Sequence, residues 1–184
     1  MSLLVLTGGA RSGKSRLAVE IASGLGCPVT FLATAEALDD ELAERIASHR
    51  AERPGGWETV EEPLELTASL RRIDDRRALV IDCLSLWASN RLLRGDEATD
   101  IVEDAREAAK RAARRRGPTI AVTNEVGLGV VPATHLGRAY RDLLGSVNRI
   151  WVDLSRRAAL VVAGRVVPLG ATEITFEEAD WLIR

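Results

Sequence analysis

Short apolar runs alternate with longer amphipathic stretches along the chain. Leu3–Leu6, Val29–Ala33, Ala78–Ile81, Thr119–Val122 and Ala158–Ala163 have the length and content of buried strands. The intervening stretches Lys14–Ser23, Leu38–Arg50, Leu64–Arg72, Leu84–Leu93, Asp100–Arg116 and Leu136–Leu154 carry apolar residues at helical spacing. Parallel strands need crossover connections, so this alternation predicts an α/β fold with a mainly parallel sheet and helices on both faces. Val161–Val167 differs: two β-rich runs flank Gly164 and predict a hairpin, hence one antiparallel edge strand. No repeat or low-complexity linker interrupts the pattern, which favours one domain over residues 1–184. Trp181 and Leu182 make residues 171–184 a candidate short docked helix without an assigned role.

Composition narrows the class. Apolar residues make up 46% and charged residues 28%, values ordinary for a soluble globular protein. Lys plus Arg total 25 against 27 Asp plus Glu, a net charge of −2, which argues against a nucleic-acid surface. The one basic run, Arg111, Arg114, Arg115 and Arg116, follows Glu103, Asp104 and Glu107 and reads as the cation-rich end of an exposed helix. Cys27 and Cys83 are far apart, in no metal-ligand spacing, and are expected to be buried, reduced thiols of a cytoplasmic protein. No apolar run approaches the ~20 residues that span a bilayer, so no membrane span is expected.

The chemistry concentrates near the N-terminus. Gly8-Gly9-Ala10-Arg11-Ser12-Gly13-Lys14-Ser15 satisfies G-x-x-x-x-G-K-[ST] at every required position, between a strand and an amphipathic helix. The glycines allow a tight turn whose N–H groups face phosphate oxygens, and the following helix adds its positive N-terminal dipole. Lys14 is placed to reach the β and γ phosphates, and Ser15 to ligate Mg²⁺. A strand-end acid should complete the metal site, and Ala78-Leu79-Val80-Ile81-Asp82 has that form. Asp82 could instead, or also, cap the helix starting at Leu84.

A phosphate loop is compatible with several classes. A GTPase switch needs an Asn/Thr-Lys-x-Asp motif, and Thr123-Asn124-Glu125-Val126 lacks both the Lys and the Asp. A small-molecule kinase fits the chain length; a nucleotide-binding regulatory subunit is the non-enzyme alternative. A plain kinase does not account for the block after the second strand, which includes His49, Arg50 and Arg53. A lone histidine near a helix end is commonly a surface residue complementing the helix dipole. Beside a triphosphate, a neutral imidazole can attack the α-phosphate to form a phosphoramidate, with Arg50 and Arg53 stabilising charge as the bond breaks. His135 reads as a solvated loop histidine.

The blocks together resemble the bifunctional adenosylcobinamide kinase / adenosylcobinamide-phosphate guanylyltransferase family of cobalamin biosynthesis. The matching pieces are the phosphate loop, Ala33-Thr34-Ala35, Asp39-Asp40-Glu41 with Arg45-Ile46-x-x-His49-Arg50-x-x-Arg53-Pro54, and Asp82-Cys83-Leu84-Ser85-Leu86-Trp87. Thr123–Pro132 and Arg141-Asp142-x-x-Gly145-x-x-Asn148 extend the match over nearly the whole chain. The resemblance implies a RecA-like P-loop NTPase fold, a homotrimer, and two reactions using ATP or GTP with Mg²⁺. Adenosylcobinamide is phosphorylated, and GTP then donates GMP to adenosylcobinamide phosphate. It also implies that His49 carries GMP, and that Gly8–Ser15, Ala33, Thr34, Ala35, Arg50, Ala51, Glu52, Arg53, Glu61 and Asp82 contact the nucleotide. Within Thr123–Pro132, Thr123, Asn124 and Glu125 are able to contact substrate, or the segment is only a Gly-shaped loop. Asn148-Arg149 and Ser155-Arg156 depart from the family's usual Asn-Gln and Ala-Asp pairs, and bear on subunit packing and corrinoid contacts.

Overall fold

The structure is a computed structural model that describes residues 3–36, 50 and 53–170. Among these residues seven strands form one sheet: β1 (Leu3–Thr7), β2 (Val29–Ala33), β3 (Glu58–Glu61), β4 (Ala78–Asp82), β5 (Thr119–Val122), β6 (Arg157–Val162) and β7 (Arg165–Leu169). Their spatial order is β3-β2-β4-β5-β1-β6-β7, with every pair parallel except β6–β7. The helices are α1 (Lys14–Ser23), α2 (Leu66–Arg72), α3 (Leu84–Arg94), α4 (Ala98–Arg114) and α5 (His135–Asp153). The α/β architecture and the antiparallel edge strand expected from the apolar pattern are therefore present. The expected helix Leu38–Arg50, all but Arg50, and the 171–184 segment lie outside the described residues.

The pleat assigns alternate residues to two cores. Leu3, Val5, Leu79, Ile81 and Ala121 face one layer with Trp87, Ile101, Leu144 and Trp151 of α3, α4 and α5. Leu6, Phe31, Val80, Ile120 and Val122 face the other with Ala18 and Ala22 of α1. Burial on both faces explains why the central strands read as continuous apolar runs rather than alternating ones. Each large apolar side chain so buried contributes about 1.5–3 kcal/mol relative to exposure.

β3 does not follow that rule. Glu58-Thr59-Val60-Glu61 contains no apolar run; among the described residues it is an edge strand paired only with β2, through Thr30↔Glu58 to Ala33↔Glu61. Sequence pattern alone gives no sign of it. A second departure concerns the basic run. Arg114 and Arg116 are exposed, but Arg115 is only 4% exposed and donates to the carbonyls of Ile73, Asp74 and Arg77. Arg111 likewise donates to Leu70 O at 2.9 Å. These two arginines tie the end of α4 to α2 and to the α2–β4 connection instead of forming a solvated face. Cys83 is buried as expected, while Cys27 is only partly so, and both are free thiols. Among the described residues no helix is long and apolar enough to cross a membrane.

The β6–β7 turn holds Ala163 at φ 50 and Gly164 at φ 74. Two left-handed central residues are the geometry of a tight hairpin turn, where Asn-Gly is the favoured pair. Alanine in this region is strained by on the order of 1 kcal/mol. Ala163→Asn is expected to stabilise the fold by about 0.5–1 kcal/mol, read as a melting-temperature rise of about 1–4 °C. An unchanged or lower melting temperature would show that the turn carries no such strain.

Candidate active site

The C-terminal ends of β1, β2, β4 and β5 lie at one edge of the sheet, where open α/β folds bind ligands. β1 ends at Thr7 and the chain turns through Gly8–Gly13 into α1 at Lys14. Gly8 is required by space: a Cβ there would collide with the carbonyl oxygen of Val161 in β6. Gly13 is required by conformation, since it holds φ 98 immediately before the helix. Gly8, Gly9, Ala10, Arg11, Ser12 and Gly13 thus form the expected strand–loop–helix turn, with Lys14 and Ser15 on the first turn of α1.

Lys14 is 5% exposed, and its ammonium lies within the loop, donating to Gly8 O at 2.9 Å, Gly9 O at 2.6 Å and Ser12 Oγ at 3.3 Å. Burial pulls its pKa below the ordinary lysine value, while the Asp82 carboxylate works in the opposite direction. A positive charge is therefore held at the centre of a turn rich in backbone N–H groups, beside a helix N-terminus. Each of these features favours an anion.

Asp82 ends β4 and is partly exposed at the same edge. It does not cap the next helix, because Cys83 occupies the N-cap position of α3 and makes no side-chain cap bond. Asp82 acts electrostatically on Lys14, Arg53 and Cys83. Burial, reinforced by the Asp82 charge, pushes the Cys83 thiol up to about 11. A thiol held neutral at physiological pH is a poor nucleophile. Among the described residues no three His, Cys, Asp or Glu side chains cluster as a metal site. One carboxylate and one hydroxyl suit Mg²⁺, which takes few protein ligands and completes its shell with phosphate oxygens and water.

Thr34 fixes the relation of β2 to β4. Its hydroxyl donates to Cys83 O at 2.6 Å and accepts from Cys83 N at 2.8 Å, and its backbone N–H donates to Asp82 O at 3.1 Å. Asn90 of α3 then donates to Thr34 O at 2.9 Å and to Pro63 O at 3.2 Å. Ala33 and Thr34 are buried and Ala35 is partly so. Thr34 therefore acts here by positioning Asp82 and Cys83. Asn90 was not anticipated; its signal was a polar residue among the buried positions of α3.

Arg53 is brought in from the segment preceding β3. Its guanidinium carbon sits 3.8 Å from the centroid of the Phe31 ring, and its Nε is buried without a hydrogen-bond partner among the described residues. Burial lowers its pKa, against which Asp82 and Glu61 act while Arg50 adds to the lowering. Arg50 Nη1 lies 3.3 Å from Glu61 Oε1, both side chains being more than half exposed. The polar strand β3 delivers Glu61 to this edge, beside Ala33 of β2. His49, Ala51 and Glu52 lie outside the described residues.

The segment after β5 is partly structural. Thr123 Oγ1 donates to Asn148 Oδ1 at 2.6 Å, and Asn148 Nδ2 donates to Asn124 O at 2.9 Å. Glu125 N donates to Gly8 O at 3.0 Å, tying this segment to the phosphate loop. The Glu125 side chain turns onto Gly127 N at 2.7 Å. Beyond it Leu128 and Val130 are almost fully exposed. His135 is exposed, but it opens α5 after the Thr134 cap instead of lying in a loop.

A strand-bound phosphate loop, a buried lysine within it and a strand-end aspartate beside it define a P-loop nucleotide-binding fold. Solved structures agree on the fold. A Pyrococcus horikoshii OT3 protein superposes with TM-score 0.58 at 6% identity, over 94% of this chain and 87% of its own. An ATPase of a bacterial type III secretion system gives TM-score 0.51 at 14% identity, over 86% of this chain and 51% of its own. The sheet is of the RecA-like type. Sequence comparison carries the assignment further. The family model for cobinamide kinase / cobinamide phosphate guanyltransferase matches residues 4–169, and the chain belongs to that family. The bifunctional adenosylcobalamin biosynthesis protein CobP of Pseudomonas aeruginosa is 44% identical over 90% of this chain and 95% of its own. The corresponding CobU proteins of Escherichia coli K12 and Salmonella typhimurium are 38% and 36% identical, each over 88% of this chain and 96% of their own.

Proposed function

We propose that this chain phosphorylates adenosylcobinamide and then transfers GMP from GTP to adenosylcobinamide phosphate, releasing pyrophosphate. The observation that carries the reading is the buried Lys14 within an intact phosphate loop, set beside Asp82 in a chain that matches the family over residues 4–169. In the kinase step the loop N–H groups and Lys14 hold a nucleoside triphosphate, ATP or GTP, while the substrate hydroxyl attacks the γ-phosphorus. Bound Mg²⁺ would neutralise phosphate charge, held by Ser15 and Asp82. In the second step a ring nitrogen of His49 attacks the α-phosphorus of GTP, forming a P–N bond as pyrophosphate leaves. A phosphate oxygen of adenosylcobinamide phosphate then displaces the imidazole, giving adenosylcobinamide-GDP. Arg50 and Arg53 stabilise the developing charge, and the burial of Arg53 over Phe31 strengthens its electrostatic effect.

The same reading takes residues 1–184 as one domain, the assembly as a homotrimer and the compartment as the cytoplasm; the family resemblance supports the trimer. The test of the activity is incubation with GTP and adenosylcobinamide phosphate. Pyrophosphate release with formation of adenosylcobinamide-GDP is expected, whereas binding without turnover would reduce the chain to a nucleotide-binding subunit.

Asp82→Asn is expected to raise the Mg²⁺ concentration for half-maximal rate, by about tenfold for loss of one charged ligand. A metal titration curve identical to that of wild type would leave Asp82 with an electrostatic role towards Lys14 and Arg53 alone.

A further inference from the structure

The β6–β7 turn reaches the phosphate loop. β6 pairs with β1 as far as Thr7↔Leu160, so Val161, Val162 and the turn continue alongside the loop itself. Gly164 N donates to Ser12 O at 2.9 Å, and a Cβ on Gly13 would lie 3.6 Å from the Gly164 Cα. On the other flank, Glu125 N donates to Gly8 O. The loop is thus braced from both sides by backbone donors.

Ser12 C=O and Gly13 N–H belong to one peptide unit, and that peptide is trans. A trans peptide is planar, with its C=O and N–H directed oppositely. A donor on the carbonyl from the hairpin side therefore turns the Gly13 N–H away from the hairpin. Gly13 has no Cβ to restrict rotation of this peptide plane, so the orientation has to be imposed from outside. We propose that the Ala163–Gly164 turn is a positioning element of the nucleotide site, whose Gly164 N–H pre-aims the Gly13 N–H at a phosphate oxygen. The role belongs to a single backbone donor and needs no side chain. It rests on the nucleotide-transfer reading above and adds to it a part of the chain far from the phosphate motif in sequence.

Replacing Gly164 by glycolic acid, an amide-to-ester exchange, removes this one N–H and adds no side chain. The Kd for Mg-GTP should rise about fivefold, the worth of one lost hydrogen bond. KM for the nucleotide should rise similarly, with kcat held within about twofold. An ester variant with wild-type Kd and KM would overturn the proposal. Amide exchange in the wild-type protein tests it independently of how that variant folds. The Gly164 amide should be protected and become more so with Mg-GTP, and free exchange in the bound state would overturn it. Wild type that binds no Mg-GTP at all would instead bring down the nucleotide-transfer reading on which this one rests.

Discussion

Lys14→Ala is expected to slow both reactions more than about 100-fold, a loss of about 3 kcal/mol or more of transition-state stabilisation. The size follows from where the ammonium sits. It is buried inside the loop, on Gly8 O, Gly9 O and Ser12 Oγ, in surroundings where charge is poorly screened. On the proposed reading each phosphate chemistry at this loop uses the same cation, so the kinase and guanylyl-transfer steps should fall together. The loop is also braced through Glu125 N and Gly164 N, so the variant is expected to stay folded. Steady-state rates within about threefold of wild type for either reaction, in a protein with unchanged circular dichroism, would refute the role.

His49→Ala is expected to separate the two activities. Wild type incubated with α-labelled GTP should retain label on the protein, and γ-labelled GTP should leave none, because pyrophosphate departs on attack at the α-phosphorus. A phosphoramidate loses its label in mild acid and keeps it in base, which distinguishes it from a serine ester. The variant should retain no label and lose guanylyl transfer by more than about 1,000-fold, while the kinase step stays within a few-fold of wild type. The basis is the sequence block around His49, which runs on into Arg50 and Arg53; of these two, Arg50 approaches Glu61 and Arg53 covers Phe31. Label retained by the variant would assign the nucleophile to another residue.

What could be read from the sequence follows from how each feature is encoded. The central strands were legible because two-sided burial makes them continuous apolar runs, and the helices because Trp87, Ile101 and Trp151 recur on buried faces. The phosphate loop was legible because steric exclusion at Gly8 and left-handed φ at Gly13 fix residue types at fixed spacing. β3 was missed because an edge strand needs only one paired neighbour and little apolar content. The structural use of Arg115 was missed because a buried arginine satisfied by carbonyls has the same local pattern as a solvated one. Asn90, the Arg53–Phe31 stack and the Gly164 contact join residues distant in sequence, which no local pattern records. Thr123 was read as a possible substrate contact, but its hydroxyl is committed to Asn148.

The most direct test supplies adenosylcobinamide with γ-labelled ATP and GTP and, in a second isotope, α-labelled GTP, all to the purified chain alone. Both isotopes should accumulate in one corrinoid product, adenosylcobinamide-GDP, in equal amounts, since one phosphate comes from the kinase donor and the other from GMP. The γ-isotope alone in a corrinoid product would leave only a kinase, and no label in any corrinoid would contradict the account altogether.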